Sequence, residues 1–200
     1  MPEQTIKDLK KEIYLAMHKT QEMIELAEDG FKKNKLASLD QAEELSREIH
    51  AKEDALTATL AKMASAGGEA RTLLTVPSHI EKIATSIKRI VENSRVRIKE
   101  GLLFSDKAIH ETGTLFTTAK DTIKKAGEAV VTGSGTTIES VLKDSETMER
   151  LSKDYATAHE DRLVTGECSP KASSTYLCIL YAFEDMGAHL KEAVRKLSGK

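Results

Sequence analysis

The segment His159-Glu-Asp-Arg-Leu-Val-Thr-Gly-Glu-Cys-Ser-Pro170, with the run Tyr176-Leu-Cys-Ile-Leu-Tyr-Ala-Phe183 that follows it, decides the fold. Gly166 supplies a helix stop, and Ser169-Pro170 supplies a start: a capping residue, then a proline whose missing N–H costs nothing at the first helical position. Beyond it, Tyr176, Leu180, Phe183, Gly187, Leu190, Val194 and Leu197 step by three and four, which lays one apolar stripe along a helix. A long helix, a sharp turn and a second long helix are therefore predicted at this end of the chain.

Working outward, the same pattern recurs. Stripes run through Ile6 to Phe31, Ala42 to Met63, Leu73 to Ile90, Ile109 to Val130 and Ile138 to Tyr155. Gly30, Gly67-Gly68, Gly101, Gly133 and Gly135 fall between them as stops. Ser38-x-x-Gln41 and Thr136-x-x-Glu139 have capping-box spacing, and Ser105-Asp106 offers another start. Pro77 interrupts a stripe, which predicts a kink or a short helix ahead of it. No stretch alternates with period two. The expected fold is all-α: six long antiparallel helices, each about 40 Å long, forming two tandem three-helix bundles. The division is placed at residues 1–101 and 102–200, together one compact unit; a single merged bundle is the competing arrangement.

Composition narrows the function. The 200 residues are 31% charged and 4% aromatic with a net charge of −2, so no global positive field would draw in nucleic acid. The first 25 residues carry charges throughout and hold no apolar core of a secretory signal. The longest apolar run, residues 176–183, falls far short of the about 20 residues of a membrane span. Cys168 and Cys178 are too few for a disulfide framework or a zinc cage. A cytoplasmic protein without a membrane span is expected.

His159-Glu-Asp-Arg162-Leu163 with Gly166, Ser169 and Pro170, followed by residues 176–189, resembles the second repeat of PhoU-like domains, above all the version appended to sodium/phosphate cotransporter-type proteins. Leu102-Leu-Phe-Ser-Asp-Lys-Ala108 is similar to the start of the same repeat. The resemblance covers roughly residues 102–116 and 155–197; the first half matches in helix pattern more than in residues. It implies two tandem three-helix bundles and a regulator of phosphate uptake. Such a regulator acts by contact with a phosphate transporter component or an associated sensor protein, with homodimerisation or peripheral membrane association as accessory expectations.

In that family a Glu-x-x-x-Asp pair on the third helix of a repeat can hold metal, since residues four apart share one helix face. Here Glu184 keeps the glutamate, but Ala188 stands where the aspartate belongs; His189 follows, and Asp185/His189 is a rearranged pair. In the first repeat either Glu81 with Thr85 or Lys88 with Glu92 occupies the motif, and both registers lack a carboxylate. Glu184, Asp185, His189, Glu81 and Glu92 are thus the candidate metal residues, with iron or zinc as the ions. A metal-sensing or metal-storing bundle, and a generic helical scaffold, are the alternatives to the regulator.

Other chemistries find less support. None of the six histidines follows a glutamate by three residues, against a di-iron carboxylate bundle. Gly133-Ser-Gly135 lacks the strand and lysine of a phosphate-cradling loop. Cys168 with His159 lacks an orienting third group. Lys82, Lys88, Arg89, Arg95, Arg97 and Lys99 make the third long helix locally basic, and His159 to Arg162 is expected to pin its helix end by local ion pairs. No catalytic set emerges, and a non-enzymatic protein is expected.

Overall fold

The computed structural model describes residues 5–65 and 67–198. Its long helices are α1 (Ile6–Lys33), α2 (Leu36–Ala64), α4 (Val76–Lys99), α5 (Asp106–Thr132), α6 (Gly135–Val164) and α7 (Pro170–Arg195). A single turn, α3 (Glu69–Leu73), precedes α4, and a 3-10 turn follows α7 at Lys196–Ser198. Among the described residues there is no strand. The third apolar stripe therefore divides as its proline predicts: Pro77 sits in the first turn of α4, and Leu73 belongs to the short helix ahead of it.

Helix ends show where local reading succeeds and where it slips. Ser105 caps α5 by accepting from the Ala108 N–H, as its position predicts. The two expected capping boxes are elsewhere. Ser38 lies inside α2, its hydroxyl donating to Asp29 at 2.6 Å, so it ties α1 to α2 instead. The cap of α6 is Ser134, two residues before Thr136. A true capping box joins Thr5 and Asp8 at the start of α1. Gly30 is not a stop either. It lies within α1, where a side chain would strike Leu39, and the helix ends at left-handed Asn34.

Two helix ends are built alike. At α4 the Leu102 N–H reaches the Arg97 carbonyl and the Gly101 N–H reaches Ile98; at α6 Glu167 reaches Arg162 and Gly166 reaches Leu163. This double bond pattern with a left-handed glycine (φ 61° and 77°) satisfies carbonyls that a helix leaves open. Each arginine sits in the last turn, where a cation is favoured by the helix dipole.

Helices α1, α2 and α4 pack mutually, as do α5, α6 and α7; the α1–α5 and α4–α7 contacts join the two groups side by side. Cross-helix pairs such as Lys19–Glu48, Arg95–Asp40, Lys125–Asp144 and Lys191–Glu149 fix an antiparallel order. All expected stripes face inward, and the buried side chains form one continuous core across both groups. Up-and-down order gives the molecule two poles. One gathers the turns at 34–35, 100–105 and 165–169; the other gathers 67–68, 133–134 and the first and last described residues.

Candidate functional site

The sequence-predicted residues lie where α4 and α7 cross the seam between the bundles. They do not converge. Glu184 pairs with Lys153 on α6 at 3.3 Å, and Asp185 pairs with Arg89 on α4. Glu81 accepts from Thr85 at 3.1 Å and lies 3.5 Å from His50. Glu92 faces Lys88 along its own helix at 3.8 Å. The His189 ring stacks near His79, centroids 5.8 Å apart. Burial holds both imidazoles below the ordinary histidine value, and Lys82 adds to this. Each carboxylate thus has a cation or a hydroxyl at hand, and among the described residues no three His, Cys, Asp or Glu side chains group as metal ligands. The arrangement does not fit the metal centre that the Glu-x-x-x-Asp pattern would build. It is instead a mixed-charge face with paired ions.

The basic character expected of α4 is largely cancelled in the same way. Arg95 bonds Asp40 at 2.6 Å and Glu43 at 3.0 Å, while Arg89 and Lys88 have the partners already named. Arg97 departs from the solvated row altogether: it is 8% exposed and belongs to the interior.

The turn-rich pole holds a buried network that sequence reasoning missed. Arg162 on α6 makes two parallel bonds to Glu111 on α5, at 2.9 and 2.8 Å, and the Tyr176 hydroxyl on α7 donates to the same carboxylate. All three groups are buried. The expected local ion pairs around Arg162 are therefore replaced by a link spanning three helices. Burial, and then the Glu111 carboxylate, push the Tyr176 phenol far up, while at Arg162 the carboxylate outweighs burial and holds the guanidinium charged. His159, expected among exposed ions, is buried at 3% exposure; its Nε2 meets the Ser173 hydroxyl at 2.9 Å, and burial lowers its affinity for a proton. Its Nδ1 has no hydrogen-bond partner, so this serine–histidine pair lacks the carboxylate that would orient a catalytic base.

Both cysteines are free and partly exposed. Cys168 lines a cavity of about 230 Å³ with His159, Tyr176, Ser169 and Leu103. Next to it, across the connector 100–105, lies a second cavity of about 460 Å³. Between them the four phenylalanines of the chain and Tyr176 form one ladder: Phe104 on Tyr176 at 5.4 Å, Phe31 on Phe104 and Phe116 at 6.0 and 5.6 Å, Phe116 on Phe183 at 5.1 Å. Aromatics are scarce in this chain, and Phe104 ties the connector to α1 of one bundle through Phe31 and to α7 of the other through Tyr176.

Two side-by-side three-helix bundles with this helix order define the fold of the PhoU proteins. The chain superposes on the phosphate transport system regulatory protein PhoU from Streptococcus pneumoniae with a TM-score of 0.84 at 11% identity, covering 96% of this chain and 92% of that one. It superposes on PhoU from Pseudomonas aeruginosa with a TM-score of 0.82 at 14% identity, covering 95% and 93%. No protein-family profile matches the sequence, nor does any curated protein.

Proposed function

We propose that this protein is a non-enzymatic, cytoplasmic regulator of phosphate uptake that acts by binding a phosphate transporter component or its sensor protein. The carrying observation is the near-full-length likeness to two PhoU structures, one of them described as the regulatory protein of a phosphate transport system. The residue-level resemblance of segments 102–116 and 155–197 points the same way. Within this reading residues 1–101 and 102–200 are the two repeats, and the α4–α7 face straddles them. Its alternating ions, Glu81, Glu92, Glu184 and Asp185 with Lys82, Lys88 and Arg89, suit a polar partner surface recruited by charge complementarity. Among the described residues no helix is long and apolar enough to cross a membrane, so contact with a transporter would be made from its surface.

The test is capture of partners on the tagged protein from cells grown with scarce or abundant phosphate. A transporter or sensor component should be recovered in at least one condition, and a Glu184→Lys, Asp185→Lys double variant should recover about ten-fold less, in line with the cost of like charges at a complementary interface. Recovery of no such component in either condition would sink the reading and leave a scaffold without a phosphate link. The iron- or zinc-binding alternative is settled by elemental analysis after loading: stoichiometric metal that disappears in Glu184→Ala would establish it.

A further inference from the structure

Arg97 is a buried cation without an anion. Its Nη2 donates to the Phe31 carbonyl and, at 2.6 Å, to the Asn34 side-chain oxygen. The guanidinium carbon lies 4.4 Å from the Phe31 ring centroid and 5.3 Å from that of Phe104. Among the described residues no carboxylate pairs with it; its Nε is buried with no acceptor, as is that of Arg162, so the missing carboxylate is what sets it apart. Burial accordingly lowers its proton affinity. The same molecule contains the contrasting case. Arg162 occupies the equivalent place at the end of α6, before the same glycine turn, and there Glu111 closes both arms of the fork. Desolvating a guanidinium costs several kcal/mol unless an anion meets it, and neutral acceptors with ring faces offset only part of that.

Arg97 also lines the cavity of about 460 Å³ beside the connector. Asn34 lines it too; its oxygen is taken by Arg97, which leaves its amide N–H₂ to donate. The remaining wall is Ile98, Gly101, Leu102, Leu103, Phe104 and Ile109, with no acidic side chain and no second cation. Donors on one side and an apolar wall on the other describe a ligand with an anionic head and an apolar body. A single cation matches a single negative charge, hence a carboxylate rather than a doubly charged phosphate ester.

We propose that this cavity binds a small organic carboxylate, its head on Arg97 and Asn34 and its apolar body against Ile98, Leu102 and Ile109. A ligand there would sit against the connector that joins the two bundles.

Calorimetric titration with octanoate, octanol and inorganic phosphate tests it. Octanoate should bind saturably at one site. Octanol, which lacks the charge, should bind at least about ten-fold more weakly, as expected for loss of a charge-assisted hydrogen bond, and phosphate more weakly than octanoate. Arg97→Met should cut octanoate affinity by the same factor. Because that variant also removes two internal hydrogen bonds, Leu103→Glu serves as the second arm: Leu103 is 86% exposed, so the fold is untouched while a negative charge is set at the rim. It too should lose octanoate binding with an unchanged circular dichroism spectrum. Equal binding of octanoate and octanol, octanoate affinity unaffected by Leu103→Glu, tighter binding of phosphate, or no saturable octanoate binding would each overturn the proposal.

Discussion

Arg97 and Arg162 each stand four residues before a glycine, in Arg97-Ile-Lys-Glu-Gly101 and Arg162-Leu-Val-Thr-Gly166. That shared spacing was legible: it places a cation in the last helical turn and a left-handed residue just past it. What the spacing could not convey was burial, since the acceptors come from positions 51 residues away or more. Glu111 reads in the sequence as one more surface charge on α5, and Tyr176 as one more apolar step. Their convergence exists only once three helices meet. The consequence is measurable. Glu111→Ala strands a buried guanidinium and should cost about 3–5 kcal/mol in denaturant unfolding. Tyr176→Phe removes one hydrogen bond to that carboxylate but leaves the guanidinium paired, and should cost less, about 1.5–3 kcal/mol.

At the scale of elements, periodicity carried nearly everything. Six stripes became six long helices, and Pro77 marked the break between α3 and α4. The errors are at caps, because Ser38 and Thr136 have the right spacing but a neighbour or an earlier serine takes the role. The partners of the candidate residues on α4 and α7 were not legible, and those partners decide whether carboxylates gather a metal or an ion pair. The α4–α7 contact also sets a pH response. His79 and His189 hold their protons less firmly when folded: at His79 through burial, then His189, Lys82 and Lys196, against Glu192, and at His189 through burial and Lys82, against Asp185, Glu81 and Glu192. His159 shifts in the same direction through burial and Arg162, against Glu111 and Glu160. Below the ordinary histidine value of about 6.5 the unfolded chain therefore binds more protons, and stability falls as pH falls through that point toward the lowered folded values. Thermal melts between pH 7.5 and 5 should show a declining midpoint, and a His79→Phe, His189→Phe variant should decline less steeply.

For the whole molecule, two bundles sharing one continuous core should behave as a unit. Neither group buries its α1–α5 or α4–α7 surface alone, so melting followed by far-ultraviolet circular dichroism and by tyrosine fluorescence should give coincident single transitions. Two separated transitions would mean that the halves are independent domains. The apolar stripes had already pointed to long helices, whereas the side-by-side arrangement depends on which faces remain apolar after each bundle closes, and six separate stripes do not reveal that.

An even number of long helices returns the chain to the side from which it set out. The first and last described residues therefore emerge at one pole, while the arginine turns and the two cavities beside the connector occupy the other. A tether that meets the fold at residue 5 or residue 198 would hold the molecule by that end, presenting the pole of the arginine turns to solution.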